Sequence, residues 1–384
     1  MPEAADVRRR VIAEMLAAGF ELRGGLLVPP QGDPKEVARS LHAQQRAQVL
    51  AKSLDFIVEW EDRLIDYFAD GREVDPSAIH PVVAPVTTEE QSALFRFASL
   101  HWAVPVSQGY GRRTRFLITD KNNGKLIGIF ALGDPVFNLR VRDSLIGWDG
   151  AQREARLYNV FDAFVLGALD PYRQLIAGKL AALCTVSDEV TSFLEEKYKG
   201  KVTKIRGEEK ISRPVLITTS SALGRSSIYN RVVFSGRKVF QPVGYTEGFG
   251  HFQFSDELFR DLVDTISEDE SYRSHKYGDG PNWKMRTIRT ALERLGLPGD
   301  MLKHGIRREV FLAPLSIGWR AFLRGETDVI SPISYPLDDL AEHYRRRWAE
   351  PRAERMPGYR DWDRENMRLT KLYAKLPARQ MLLF

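Results

Sequence analysis

Cysteine is almost absent from this chain: Cys184 is the single one among 384 residues. An intramolecular disulfide is therefore excluded, and so is a zinc site built from several thiolates. Cys184 lies in an apolar stretch with helical spacing, and we interpret it as a small buried hydrophobic residue. A chain without disulfides fits a reducing compartment, so we expect a cytoplasmic protein.

Long apolar runs are also missing. No stretch approaches the roughly 18 apolar residues that a membrane-spanning helix requires, so no membrane association is expected. Near the N-terminus, Arg8–Arg10 precede the apolar stretch Val11–Phe20, but Glu14 interrupts it and no small-residue cleavage site follows. This pattern predicts an amphipathic helix rather than a signal peptide.

Several motifs of common enzymes are absent. The chain has no G-x-x-x-x-G-K-[ST] loop, no H-E-x-x-H pair and no G-x-S-x-G turn. A P-loop nucleotidase, a zinc metalloprotease of that class and a serine hydrolase of the α/β type are therefore excluded. No metal site is expected, because no Cys and His residues are paired at ligand spacing and no acidic pair marks a strand end.

What the chain does contain is the composition of a folded protein, with 43% hydrophobic and 28% charged residues. Its net charge of +5 permits an anionic partner without requiring one. Residues 341–384 hold eleven Lys or Arg against six Asp or Glu, and a second basic cluster is Arg112, Arg113 and Arg115. Each cluster is consistent with nucleic-acid contact or with an ordinary solvated face.

The chain is predicted to have three regions. Residues 1–104 are mainly helical, and Asp33–Pro34 has the form of a helix start, with an Asp cap and proline in the first turn. Residues 105–265 alternate strand-like runs and helices. Residues 266–384 form a basic extension of helices and loops, in which 282–296 has the spacing of a basic amphipathic helix.

The middle region indicates a mixed sheet. Phe116–Thr119 and Leu126–Leu132 flank turn-forming residues and predict a β-hairpin. The elements predicted after it are a strand within 157–169, helices at 172–184 and 187–198, a strand at 215–218, a short helix at 226–232 and a strand at 239–245. An antiparallel hairpin followed by alternating helices and strands is typical of an α+β fold, a mixed sheet flanked by helices.

This order resembles the GNAT acyltransferases, whose sheet opens with antiparallel strands and then has a splayed parallel pair that admits a pantetheine. The resemblance implies that Tyr229 protonates the leaving thiolate, and His251 or Glu247 is the candidate base. It also implies a pyrophosphate-binding turn of the form Q/R-x-x-G-x-G/A. The corresponding residues, Gln174–Lys179, lack the second glycine, which argues against acyl-CoA binding.

A more specific resemblance spans about residues 105–325. The strings Gly133–Arg140, Arg142–Trp148, Ser221–Arg231 and Gly244–Phe252 resemble the Druantia DruA family of bacterial anti-phage defence proteins. The resemblance implies an antiviral role in company with other Druantia proteins, including a large helicase-like partner. Some relatives are joined to transposase-like regions, which favours nucleic acid as a further partner.

The loop Thr218–Ser227 is the best candidate for chemistry. Its hydroxyls, Gly224 and Arg225 stand between a predicted strand and a predicted helix start, which suits a phosphate group. The alternative is a helix cap at Ser226 beside a surface arginine. The residues predicted to contact nucleic acid are Arg112, Arg113, Ser221, Arg225, Ser226, Arg231, Trp283 and Arg286.

Two further residues each have two interpretations. His251 follows Gly248 and Gly250 and is a candidate general base, with a structural histidine in a tight turn as the alternative. Trp283 ends the turn-rich loop 275–283 and is a candidate for stacking on a base, with burial as the alternative.

Three hypotheses follow. The favoured one is a non-catalytic GNAT-like module without a cofactor that binds DNA or RNA within a defence assembly. The second is an active acyltransferase with acyl-CoA as its cofactor. The third is a protein–protein scaffold whose tail, residues 341–384, recruits other defence proteins.

Overall fold

A computed structural model describes residues 3–24, 26–106, 111–202, 207, 209, 213–268, 272 and 283–375. Most of the turn-rich loop before Trp283 and the end of the basic tail lie outside these ranges. No helix within them is long and apolar enough to cross a lipid bilayer.

The central element of the fold is a mixed sheet. The strands are, in chain order, β1 (Glu21–Arg23), β2 (Leu26–Val28), β3 (Pro81–Pro85), β4 (Arg113–Asp120), β5 (Leu126–Gly133), β6 (Val160–Ala168), β7 (Leu216–Ser220), β8 (Val233–Phe234), β9 (Arg237–Lys238), β10 (Gln241–Tyr245), β11 (Glu309–Pro314), β12 (Ser316–Ile317) and β13 (Ser331–Pro332). Seven of them pair in the order β10-β11-β7-β6-β5-β4-β3. Neighbours are antiparallel except β6 and β7, which are parallel, so the predicted mixed sheet and its opening hairpin are confirmed.

Several helices begin at a side-chain cap that the sequence supplies. At the predicted start, the Asp33 carboxylate accepts hydrogen bonds from the N–H groups of Lys35 and Glu36, with Pro34 in the first turn. The helices are, in chain order, α1 (Ala4–Ala17), α2 (Pro34–Ala51), α3 (Leu54–Leu64), α4 (Glu89–Ser99), α5 (Arg140–Ile146), α6 (Gly150–Arg156), α7 (Gly178–Cys184), α8 (Asp188–Tyr198), α9 (Asp256–Ile266), α10 (Trp283–Arg294), α11 (Trp319–Leu323), α12 (Leu337–Tyr344), α13 (Glu350–Arg355) and α14 (Leu369–Ala374).

The helix predicted over 172–184 is interrupted. A 3₁₀ turn, Tyr172–Leu175, precedes α7, and Ile176 between them has a left-handed φ of 63°. A β-branched residue rarely adopts this conformation, and no sequence pattern signals it. Cys184 ends α7 fully buried, which confirms its interpretation as a core residue.

The sheet includes strands from outside the region 105–265 that was expected to hold the core. β3 pairs with β4, and β11 lies between β7 and β10, with Val310–Pro314 paired to β7. No strand is predicted at 309–314 from the sequence, because this short run has charged residues before it and proline at its end. The three regions therefore share one sheet.

Both faces of the sheet are covered by helices. Leu180 of α7, Leu194 of α8 and Leu340 of α12 pack on one face. The other face is covered in two parts. Phe97 of α4 belongs to the cluster over β4 and β5, and Phe322 of α11 belongs to the cluster over β6, β7 and β11. Helices on both faces are what a largely buried mixed sheet requires.

A separate apolar cluster stands beside the sheet. It joins Val11 of α1, Leu262 of α9 and Ile288 of α10. Helix α2 connects this cluster to the sheet, because its Leu41 packs in the separate cluster and its Leu50 packs beneath α3 and α4. The first and the last helices of this cluster are thus brought together from distant parts of the chain.

The C-terminal segment, residues 337–374, is bound into the fold. Its hydrogen bonds to the rest of the protein include Arg345 to the Ile79 carbonyl (2.9 Å), Arg364 Nε to the Asp70 carboxylate (2.8 Å) and the Thr370 N–H to the Glu61 carboxylate (3.0 Å). Arg346 pairs with Glu342 at 2.9 Å. Much of the positive charge predicted for this region is therefore used internally, and the segment is structural rather than a free tail.

Candidate nucleic-acid interface

The candidate site lies at the edge of the sheet where β6 and β7 end. These parallel strands pair only from Val160–Asp162 to Leu216–Thr218, after which β6 continues beside β5. Loops that follow adjacent parallel strands are a common place for ligand sites. The two loops here are 169–177, which leads into α7, and 221–232, which leads toward β8.

The loop 169–177 does not fit the pyrophosphate of acyl-CoA. Its backbone N–H groups bond within the loop: Arg173 to Leu169, Gln174 to Pro171, Ile176 to Arg173 and Ala177 to Tyr172. A phosphate site at a helix start needs such groups pointing outward. These donors are already paired, so the geometry supports no step through this cofactor.

The C-terminal segment closes the same loop from outside. The Tyr344 hydroxyl donates to the Leu175 carbonyl at 3.0 Å, and Arg352 donates to the Gln174 carbonyl at 3.2 Å. A Cβ added at Gly178 would lie 3.0 Å from Ile228 Cδ1. The loop is thus covered by protein on both sides.

The loop 221–232 is organised around an internal carboxylate, Glu309. This side chain is 6% exposed, and its Oε2 accepts hydrogen bonds from the Ser226 N–H and from Asn230 Nδ2, each at 3.0 Å. The Ser226 hydroxyl accepts from the Ile228 N–H at 3.1 Å, and the Ser221 N–H donates to the Glu309 carbonyl at 2.8 Å. Donors predicted to hold a phosphate therefore hold a glutamate, and both serines are buried.

Ser226 acts as the local cap that was the alternative interpretation. The helix predicted over 226–232 is reduced to one 3₁₀ turn, Tyr229–Arg231. No feature of the sequence identifies Glu309 as the anion in this loop, because it lies 83 residues beyond Ser226. The contact depends on the position of β11.

Arg225 remains on the surface, next to a second arginine. A Cβ added at the neighbouring Gly224 would lie 3.6 Å from the Arg307 carbonyl. The Arg307 guanidinium lies 5.3 Å from the ring centre of Tyr245, which is 37% exposed. Within the described ranges, neither Arg225 nor Arg307 has a carboxylate oxygen within 4.0 Å.

A second pair of this kind lies alongside. The Arg289 guanidinium of α10 is 5.7 Å from the ring centre of Phe249, which is 40% exposed. Phe249 forms a backbone bridge with Lys303, and a Cβ at Gly248 would lie 2.8 Å from the Ile306 nitrogen. The segment 303–307 therefore connects the two pairs: it carries Arg307 of the first pair and contacts Phe249 of the second. We call Arg225, Tyr245, Phe249, Arg289 and Arg307 the aromatic–arginine edge.

Two other candidates lie on α10. Trp283 is half-buried, and its ring meets Phe259 of α9 edge-on at 5.4 Å, which anchors the helix. Arg286 is exposed on the same helix. These positions place Arg286 near the edge, whereas Trp283 has a clear packing role.

Arg112 lies elsewhere, inside the protein. Its Nε is 2.6 Å from the Asp134 carboxylate, and its guanidinium lies 3.8 and 4.0 Å from the ring centres of Tyr158 and Phe161. Arg113 is half-buried over Phe164, and burial lowers the pKa of its guanidinium. Both lie at the start of β4, near the start of β6 rather than near the loops that follow β6 and β7. The structure therefore does not bring Arg112 and Arg113 together with Arg225.

Tyr229 and His251 are not brought together. Tyr229 is buried against Phe240 and Phe311, and burial raises the pKa of its phenol to about 12. His251 is half-buried near α10, and burial, followed by the charge of Lys284, lowers its pKa. Among the described residues, no hydrogen bond or ring contact joins the two, so the geometry does not favour a catalytic pair.

Asp162 lies near the point where β6 and β7 separate, and it is a charged residue that the sequence analysis did not predict as part of a site. The Asp162 carboxylate accepts a hydrogen bond from the Thr218 hydroxyl at 2.6 Å, and burial raises its pKa to about 6. The charges of Arg142 and Arg113 oppose this rise. A sequence signal existed, because Asp162 is the single charged residue in the apolar run 157–169.

The Asp162→Asn variant is expected to be more stable than the wild type at pH 7. Because folding raises the carboxyl pKa from 3.8 to about 6, its contribution to stability is present at acid pH and is lost as the pH rises through about 6. Asparagine stays neutral and still accepts from Thr218, so a gain of about 2 kcal/mol is expected at pH 7. Urea unfolding at pH 4 and pH 7 measures it, with exposed Asp328→Asn as the control. Equal pH dependence of wild type and D162N would contradict the assignment.

The fold and this edge define the class of protein: an α+β protein with a seven-stranded mixed sheet and arginine–aromatic pairs exposed next to its strands β10 and β11. The sequence profile of the family described as Druantia protein DruA matches residues 32–325. The curated Druantia protein DruA of Escherichia coli (strain UMEA 4076-1) is 43% identical over 364 residues, 93% of this chain and 90% of that relative. The chain belongs to the Druantia DruA family and is a component of antiviral defence. No solved structure matches it.

Proposed function

We propose that this chain serves Druantia defence as a non-catalytic module that binds nucleic acid with unpaired bases along the aromatic–arginine edge. The observation that carries the proposal is the exposure of Tyr245 and Phe249, each with a guanidinium within 6 Å of its ring. Exposed rings stack on bases, and arginines bind the neighbouring phosphates through paired hydrogen bonds.

Other arginines of the chain are hydrogen-bonded within the protein, and this contrast supports the proposed edge. Arg112, Arg345 and Arg364 are bonded to groups of the protein itself, whereas Arg225 and Arg307 have no carboxylate partner among the described residues. A guanidinium without an internal partner is available to a phosphate. Arg307 therefore combines an available guanidinium with an exposed aromatic ring, that of Tyr245.

We also propose that the core is GNAT-like. The support is its strand order, with antiparallel strands first and then one parallel pair, β6 and β7, that parts after three paired positions. In this proposal the slot between those strands no longer admits a pantetheine. Thr219 spans it, donating to the Ala163 carbonyl at 2.9 Å, and the adjoining loop is covered by the C-terminal segment.

We also propose that this chain acts with a helicase-like partner protein. A helicase produces the unpaired strands that an aromatic–arginine edge binds, so the two activities act in sequence. The test is co-purification of this chain with a co-expressed helicase-like Druantia protein, before and after nuclease treatment. Association that survives the nuclease supports a direct contact, and association that is lost shows that nucleic acid alone joins them.

The nucleic-acid proposal is tested by binding of fluorescent oligonucleotides at several salt concentrations. We expect single strands to bind more tightly than duplexes of the same length, with affinity falling linearly on a log–log salt plot. The double variant Arg225→Gln, Arg307→Gln removes two phosphate contacts, so the slope should fall by about 2 and the affinity by roughly tenfold or more.

Two controls separate this effect from general charge. Arg72→Gln and Lys121→Gln together remove the same charge from exposed positions outside the edge and should leave the slope unchanged. Tyr245→Ala should weaken binding to single strands by about 1–3 kcal/mol with no change in slope. An affinity that does not change with salt concentration, or an equal loss of affinity in both double variants, would refute the proposed edge.

A further inference from the structure

A second group of cations lies near the same edge, beside α7. Lys179 is 7% exposed, and its Nζ lies 4.7 Å from the ring centre of Trp348. Arg347 precedes that tryptophan in the chain, and the contact of Gly178 with Ile228 places the turn that ends in Arg231 beside the start of α7. We call Lys179, Arg231 and Arg347 the Lys179 cluster.

In the part of the chain that the structure describes, the Lys179 cluster has no internal counter-ion. Within the described ranges, none of its three cations has a carboxylate oxygen within 4.0 Å. Burial lowers the pKa of Lys179, and the nearby charges of Arg231 and Arg347 lower it further. Buried charges in proteins are normally paired, because a lone ion gives up its hydration without compensation. Lys179 is the buried member of the cluster, and a buried ammonium flanked by two exposed guanidinium groups indicates a place for an anion.

An unpartnered polar atom lies in the same place. The ring of His343 meets Trp348 edge-on at 5.1 Å and Phe234 at 5.4 Å, and its Nε2 is buried without a hydrogen-bond partner in the described structure. Burial lowers the pKa of His343, a hydrogen bond with the Val233 backbone opposes this shift, and the charge of Arg347 adds to it. His343 thus adds a neutral donor or acceptor to the cationic group.

We propose that the Lys179 cluster binds a phosphate monoester, namely the terminal phosphate of a nucleic-acid strand. A monoester carries nearly two negative charges, where an internal phosphodiester carries one, and so suits three cations better. Lys179 is almost enclosed while Arg231 and Arg347 are exposed, so a terminal group reaches all three more easily than the interior of a strand. The source of this phosphate, though not the site, rests on the proposed function.

The first experiment uses inorganic phosphate alone. Phosphate is expected to raise the melting temperature of the wild type relative to sulfate-free chloride buffer of equal ionic strength, because it binds the folded state. The shift should be lost in Arg231→Gln and in Arg347→Gln, both at exposed positions, and kept in Arg355→Gln. Lys179→Met retains the apolar stem over Trp348 and should also lose the shift. Equal shifts in all variants would overturn the site.

The second experiment identifies the source of the phosphate. Oligonucleotides with and without a 5′ or 3′ terminal phosphate are compared for binding, and one phosphorylated end should bind about tenfold more tightly. This preference should vanish in R231Q and R347Q and persist in R355Q. Mononucleotides and coenzyme A serve as competitors, and displacement of inorganic phosphate by these alone would assign the site to a small molecule and overturn the strand-end proposal.

The two proposals fail in distinguishable ways. If oligonucleotides bind with the same affinity with and without a terminal phosphate, the Lys179 cluster is not a strand-end site, while the proposal for the aromatic–arginine edge is retained. If no oligonucleotide binds but inorganic phosphate still stabilises the wild type and not R231Q or R347Q, the anion site stands and the nucleic-acid proposal fails.

Discussion

Replacing Arg142 with methionine is expected to lower the free energy of unfolding by about 3–5 kcal/mol. Arg142 is fully buried, and its guanidinium donates to the carbonyls of Val136 and Phe137, each at 2.9 Å, and to the Asp143 carboxylate at 2.8 Å. Methionine fills a similar volume but removes the donor that the two carbonyls and the Asp143 carboxylate share, and it leaves Asp143 without its buried cationic partner. Arg142 opens the string Arg142–Trp148, which resembles the Druantia DruA family, and these hydrogen bonds give that arginine a structural role.

The matched control lies two residues earlier on the same helix. Arg140 is 84% exposed and lies 3.6 Å from exposed Glu247, so Arg140→Gln should change stability by less than about 0.5 kcal/mol. Urea unfolding measures both variants, and faster hydrogen exchange at 136–139 should accompany the loss in R142M. A stability of R142M within about 1 kcal/mol of the wild type would show that the buried pair is not needed.

The second large effect is expected at Gly71, where the C-terminal segment meets the N-terminal region. A Cβ there would lie 2.0 Å from the Tyr359 carbonyl oxygen and 2.8 Å from Arg360 Cα. Gly71→Ala must push this segment away and stretch the 2.8 Å hydrogen bond from the Gly71 N–H to the Trp362 carbonyl. Since both neighbours are backbone, we expect a loss of about 3 kcal/mol.

Gly358→Ala is the control, because a Cβ at Gly358 has no atom within 4 Å. Limited proteolysis provides a second measurement. In the Gly71 variant the segment 337–374 should be cleaved at protease concentrations that spare the wild type and G358A. Wild-type resistance in G71A would mean that the segment shifts without detaching.

Local features of the fold were predictable from the sequence because they depend on nearby residues. Asp33 with Pro34 defines the start of α2, and the turn between Phe116–Thr119 and Leu126–Leu132 defines a hairpin. The family resemblance, confirmed by the comparisons, rests on strings of contiguous residues in the same way.

What the sequence did not reveal depends on contacts between distant residues. β11 is a short strand whose paired residues lie 64 to 98 positions away in the chain, and pairing at that distance leaves no local pattern. Glu309 occupies the position predicted for a phosphate only because β11 carries it there. Likewise, the sequence cannot distinguish the buried Arg112 from the exposed Arg225, since both stand among polar residues in loops.

The late position of β11 in the chain matters during synthesis. A ribosome releases β3 to β10 long before residues 309–314 emerge, so the nascent protein carries a β7 that is paired on one side only, with β6, and a β10 without its neighbour. Exposed strand edges of this kind recruit other chains. Prematurely terminated products should therefore aggregate and be degraded, so that the cell retains only full-length defence protein.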